Sequence, residues 1–338
     1  VKSSDDNSYR AGLWPMPPKT LTQEGKPRRV GVELEFSGLD IERIAGLMLA
    51  ELGGEAEVVS AYEQKLHNTS LGSFGLELDY AYLKQLGRER NLAEESELEQ
   101  LGESLLKLVA EQLVPHEVVS PPIPMQELWR LGALLQRLRE AGAKGTRHAA
   151  VYAFGLHLNP ELPDLSATTI LAYLRSFLCL YEWLLEREEV DLSRRITPYI
   201  APFPRKYVVR VLDADYAPDL PTLIDDYLAH NATRNRALDL LPLFTYLDAE
   251  RVKRAVTDGR VGSRPTLHYR LPNCQIDEGS WSLASPWRNW LQVETLACDE
   301  RRLALVCRAY RRHFDAPAGG LFHDWPQAMS RWLLPELL

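Results

Sequence analysis

Gly31-Val32-Glu33-Leu34-Glu35-Phe36 is the stretch on which the fold turns. Val30, Val32, Leu34 and Phe36 alternate with Gly31, Glu33 and Glu35, the period-two pattern of a strand with one apolar and one polar face. Residues two apart on a strand point the same way, so both carboxylates leave one face while the apolar residues fill the other. Directly after it, Asp40 can cap a helix whose stripe is Ile41, Ile44, Ala45, Met48, Leu49 and Leu52, with Gly53-Gly54 as its stop.

Outward from this unit, residues 71–78 contain another strand, ending in Glu77-Leu78-Asp79. Ser96 and Glu99 match a capping box and open a helix carrying Leu98, Leu101, Leu105 and Leu108. A short strand over 115–120 is stopped by Pro121-Pro122, and an amphipathic helix follows over 128–141. Residues 151–159 read as a strand with Gly155 in its middle, and 166–188 as a long buried helix. Later segments predict a strand over 207–211, a helix over 220–229, a strand over 266–271, a helix over 299–313 and one near the C-terminus. Strands separated by unequal helices and long connections indicate α+β rather than a regular βαβ series. Residues 1–26 form a polar, Pro-rich arm, and 27–338 read as a single domain with no internal repeat.

Composition narrows the class. The chain has 338 residues, 45% hydrophobic and 25% charged, as in an ordinary globular protein large enough for a substantial core. Its four cysteines (Cys179, Cys274, Cys298, Cys307) contain no Cys-x-x-Cys pair, which argues against a zinc ribbon or disulfide scaffold and fits a reducing, cytoplasmic setting. There is no apolar signal core, and no apolar run approaches the ~20 residues that span a bilayer. Net charge is −8 with Lys and Arg scattered, so neither nucleic acid nor membrane is the expected partner. No Gly-x4-Gly-Lys-[Ser/Thr] loop occurs, so a P-loop ATPase is unsupported.

Four short patterns offer chemistry, each with an ordinary alternative. Glu33 and Glu35 on one strand face can help hold hard divalent ions, or can simply be solvated. His157 and Asn159 share a face in Phe154-Gly155-Leu156-His157-Leu158-Asn159, either as site residues or as a satisfied core pair. In His116-Glu117-Val118-Val119-Ser120-Pro121-Pro122, Glu117 either faces a cation or lies on the wet side. In His268-Tyr269-Arg270-Leu271-Pro272, with Asp277 soon after, Arg270 can steady a phosphoryl group or make a surface ion pair. Arg234-Asn235-Arg236 can clamp a carboxylate or phosphate, or pair with Asp225, Asp226 or Asp239. Trp281, Trp287 and Trp290 fit a pocket wall or a packed core, and Cys274 lacks a sequence partner for thiol catalysis.

The order of these patterns, densest in Gly31–Phe36, Glu77–Asp79, His116–Pro122, Phe154–Pro160 and the run from Arg234 to Phe244, resembles the amidoligase family of the glutamine-synthetase-like carboxylate–amine ligase superfamily, to which the glutamate–cysteine ligases belong. The resemblance implies a curved antiparallel sheet, packed with helices, that forms an active-site funnel. It implies ATP and two or three Mg2+ ions, replaceable by Mn2+, with small-molecule or peptide carboxylate and amine substrates joined through an acyl phosphate. By that resemblance Glu33, Glu35, Glu77, Asp79, Glu117, His157 and His268 are metal ligands, and His157, Asn159 and Arg270 meet ATP. Arg270 and Glu117 act in catalysis, and Arg234, Asn235 and Arg236 bind substrate. The chain departs from the family pattern at His268, which stands where Glu is expected. That departure also fits an inactive nucleotide- or peptide-binding relative, and the same carboxylates fit an ATP-independent metal-dependent hydrolase.

Overall fold

The computed structural model describes residues 14–60, 62–78, 115–146, 154–190, 200–259, 261–315 and 324–338. The capping-box helix expected at Ser96, and Asp79, lie outside the described residues.

The alternating stretch forms β1 (Arg29–Phe36), with Val30, Val32, Leu34 and Phe36 all buried. Each such side chain removed from water stabilises by about 1.5–3 kcal/mol before entropic costs. β1 lies inside an open nine-stranded antiparallel sheet, between β5 (His116–Val119) and β7 (Leu156–Pro160). Beyond β5 come β4 (Gly72–Leu78), β3 (Glu63–Thr69) and the edge strand β2 (Glu55–Ser60). Beyond β7 come two short strands, β9 (His268–Tyr269) and then β8 (Leu238–Asp239), while β6 (Ile123–Pro124) pairs with the start of β1. The Ser120 hydroxyl accepts from Val32 N at 2.8 Å, which ties the Ser-Pro-Pro turn to the central strand.

Ten α-helices occur among the described residues, making the fold α+β: α1 (Ile41–Leu52), α2 (Arg130–Glu140), α3 (Ala167–Arg187), α4 (Arg205–Val211), α5 (Leu220–Asn231), α6 (Leu241–Leu247), α7 (Ala249–Ala255), α8 (Ala284–Ala297), α9 (Glu300–Asp315) and α10 (Trp325–Met329). Asp40 caps α1 by accepting from Arg43 N at 2.7 Å, and Gly53 ends it at φ 71°. α1 packs on β3, β4 and α2, while α3 packs on α8 and α9. Tyr269 meets Phe177 of α3 and Trp290 of α8, so these helices cover the apolar side of the sheet. By alternation, Glu33, Glu35, His157 and Arg270 face the other way. No helix among the described residues is long and apolar enough to cross a membrane.

One expected strand is a helix. Residues 205–211 form α4, although Val208, Val209 and Val211 are strong strand formers. Pro204 precedes its first turn, and Tyr207, Val208 and Val211 are buried at helical spacing, with Tyr207 stacked on Phe203. Packing of one face overrides the residue preference. The hairpin of β2 and β3 carries no legible alternation because β2 is exposed along its whole length. Of the N-terminal arm, residues 14–26 lie against the body: Pro15 O accepts from Trp287 Nε1 at 2.9 Å and Lys19 O from Arg28 Nη1 at 2.6 Å.

Candidate metal and nucleotide site

The register of the sheet collects the polar residues. Glu63 of β3 lies opposite Glu77 of β4, Glu77 opposite Glu117 of β5, and Glu117 opposite Glu35 of β1. Like charges directly opposite one another on antiparallel strands are destabilising, so this four-carboxylate row is costly unless cations meet it. One step along β1, Glu33 lies opposite His157 of β7. The next rung pairs Gly31 with Asn159, and Asp239 with His268. With Leu158 opposite Tyr269, the register sets Asn159 against His268 and His157 against Arg270.

The row runs from wet to dry. Side-chain exposure falls from 40% at Glu63 to 22% at Glu35 and 10% at Glu33. Glu33 is the hub of the dry end. Its Oε2 is 3.0 Å from His157 Nδ1, and its Oε1 accepts from Asn159 Nδ2 at 2.9 Å. Arg264 Nη2 approaches the same Oε1 at 3.3 Å. Because its amide nitrogen donates to Glu33, Asn159 presents its oxygen to His268 Nδ1, 2.6 Å away. The two imidazoles meet edge to face at 5.1 Å.

Burial pushes the Glu33 carboxyl up, but His268, His157 and Arg264 outweigh it and hold the group well below the usual carboxylate range. Burial likewise holds the His268 imidazole well below its usual range, against the pull of the Glu33 charge. With His268 neutral, the Arg264 charge and the hydrogen bonds from His157 and Asn159 carry the stabilisation of the Glu33 anion. Asp239, at the far end, is almost fully buried and pushed up to about 7 by desolvation, although Leu241 N donates to it at 2.9 Å and Arg270, Arg234 and Arg264 oppose the shift.

Glu35 is held differently. Its Oε2 accepts from Gly155 N at 2.7 Å, and its Oε1 stands 3.7 Å from His157 Nε2. Glu35, Glu117 and His157 offer three ligand atoms within 4.8 Å of one another, and so do Glu33, His157 and His268. The donor set of carboxylate oxygens and imidazole nitrogens on rigid strands suits a divalent ion.

The residues expected near this centre gather unevenly. Glu33, Glu35, Glu117, His157, Asn159 and His268 come together, with Glu77 next in the row. Arg270 lies beside His157 by register, its Nη1 donating to Arg234 O at 2.7 Å. Arg236 instead holds chain to chain, donating to Asn231 Oδ1, Pro202 O and His230 O at 2.9, 2.6 and 3.2 Å. Asn235 offers its carbonyl to Ala201 N at 2.7 Å. Trp287 and Trp290 are buried behind the sheet, Cys274 is buried, and Asp277 accepts from Gly145 N at 2.8 Å.

Sequence reading missed Glu63, Arg264 and a site position for Asp239. Glu63 enters through the unread hairpin. Arg264 precedes Pro265 in an irregular stretch with no period to betray it. Asp239 left one signal, a carboxylate at the head of the apolar run that becomes α6.

The family model described as "Putative amidoligase enzyme" matches residues 26–292, most of the chain and all of this constellation. The chain belongs to the amidoligase family. No curated protein and no solved structure matches it. As an amidoligase-family member it is a ligase, and the polar sheet face falls inside the matched span.

Proposed function

We propose that this amidoligase is an ATP- and Mg2+-dependent carboxylate–amine ligase that works through an acyl phosphate. The observation that carries the reading is the row Glu63–Glu77–Glu117–Glu35, set in register across four strands beside His157. We read the polar sheet face as the wall of the glutamine-synthetase-like funnel.

Glu35, Glu117 and His157 would hold a divalent ion, with Glu77 next to them. Bound there, the ion supplies charge neutralisation to nucleotide phosphates. In the proposed reaction a substrate carboxylate oxygen attacks the γ-phosphorus and ADP leaves. The amine nitrogen then attacks the acyl carbon and expels phosphate. Arg270, fixed by the Arg234 carbonyl, steadies the moving phosphoryl group through its planar donors. Arg234 adjoins it and is the proposed substrate-carboxylate contact, whereas Arg236 shapes the loop. Asn159 orients the His157 and His268 side through its two hydrogen bonds.

Hydroxylamine is a general amine acceptor for acyl phosphates and tests the chemistry directly. With ATP, Mg2+ and a panel of carboxylic acids, the protein should release ADP and form a hydroxamate with at least one acid, and Glu117→Gln should not. ATP-independent turnover would replace the ligase by a hydrolase. Nucleotide binding without ADP release would favour the inactive relative, a reading supported by His268 and by the Arg264 guanidinium beside Glu33.

A further inference from the structure

The two carboxylates of the Glu-x-Glu strand are in chemically different states. Glu33 faces donors on every side: the His157 ring, the Asn159 amide and the Arg264 guanidinium all reach it within 3.3 Å. An anionic carboxylate only accepts, so the proton in the His157 contact sits on Nδ1. The lone pair of that ring is then on Nε2. That nitrogen faces Glu35 Oε1 across 3.7 Å, too far for a good hydrogen bond. Two electron-pair donors at this separation are the arrangement that ligands of a shared ion adopt, since bonds of about 2.1 Å place neighbouring donor atoms roughly 3.0–3.6 Å apart. Glu117, opposite Glu35 in the register, completes the cluster.

From this geometry we propose that the metal position of the chain is bounded by Glu35, Glu117 and His157 Nε2, and that Glu33 is a positioning residue rather than a ligand. Glu33 receives the Nδ1 proton and fixes the tautomer and angle of the metal-binding ring, as carboxylates behind metal-bound histidines do. Its charge is already met by Arg264, which leaves little for a second cation. A site containing an imidazole also ranks ions differently from an all-oxygen one: Mn2+, Co2+ and Zn2+ bind it more tightly than Mg2+, which prefers oxygen and keeps its waters. The inference rests on the ligase reading for the place of the metal, but its test needs no nucleotide.

The experiment is titration of the nucleotide-free protein with Co2+ alone, followed by calorimetry and visible absorption, with Mg2+ in parallel. Co2+ should bind more tightly than Mg2+, with a d–d spectrum that includes a nitrogen donor. In Glu33→Gln the Co2+ affinity should fall on the order of 10–100-fold while the spectrum at saturation is unchanged, because the ligands are the same. In Glu35→Gln the spectrum itself should change. A changed saturated spectrum in Glu33→Gln would make Glu33 a ligand and overturn the inference. So would Co2+ binding without nitrogen character in the wild type, a result that X-ray absorption on the Zn2+-loaded wild type reads independently of any variant's folding. Neither result touches the ligase reading, which stands or falls on nucleotide-dependent chemistry.

Discussion

Two buried glutamates, one on each side of the sheet, are surrounded by the same kinds of group. Glu294, behind the sheet, takes a two-pronged ion pair from Arg28 at 2.7 and 3.0 Å, the Trp290 indole at 2.9 Å and the Tyr173 hydroxyl. Both Arg28 and Glu294 are wholly buried, and the remaining Arg28 donors go to the Glu161 and Lys19 carbonyls. Glu33, on the polar face, has Arg264, a histidine and an amide, yet its arginine is 38% exposed and its neighbour is a row of carboxylates. The first network is closed and can only hold the fold. The second is open on one side, so the order it imposes on His157 is available to a ligand. Closure of the network, rather than its composition, separates a structural charge cluster from a functional one.

The largest effect should come from opening the closed network. Arg28→Ala leaves Glu294 buried without its cation and should cost about 3–5 kcal/mol in urea unfolding. A cost near zero would mean that the pair is not closed in solution, and the contrast would fail.

Asp239 sharpens the comparison through pH. Its folded pKa of about 7 lies above the ordinary carboxylate value of about 4, so the fold prefers the protonated form. Stability from this group is fully present below about pH 4 and is lost as pH rises through about 7. Asp239→Asn should therefore match the wild type at pH 4 and exceed it at pH 8 by a few kcal/mol, order of magnitude about 2–4. Equal stabilities at both pH values would show that Arg270, Arg234 and Arg264 fully offset the burial.

The smallest effect belongs to the open row. Glu77→Gln removes a like charge facing both Glu63 and Glu117 and should stabilise the metal-free protein by about 0.2–1 kcal/mol at low salt. The gain should shrink at high salt, where exposed charges are screened. A loss of stability would mean that the row is internally satisfied and calls for no cation.

Much of this was legible from the chain because strand alternation is local. Gly31 to Phe36, His116 to Val119 and the His157–Asn159 pair each announce a face within a few residues, and the Asp40 cap with its stripe announces α1. Register is not local. That Glu35 meets Glu117 and Glu117 meets Glu77 depends on pairing between segments far apart in sequence, and only the family resemblance anticipated their meeting. Arg264 could not be read at all, since nothing periodic surrounds it. Residues 205–211 misled for the opposite reason: their valines speak for a strand, while the packing of Tyr207 against Phe203 and Tyr227 makes a helix.

The central claim is that the open face is a metal-dependent nucleotide site. Calorimetric titration with a non-hydrolysable ATP analogue, with and without a divalent ion, tests it most directly. The account predicts ion-dependent binding by the wild type and its loss in Glu117→Gln with an unchanged unfolding midpoint. Absence of binding under both conditions, or equal binding by Glu117→Gln, would contradict it.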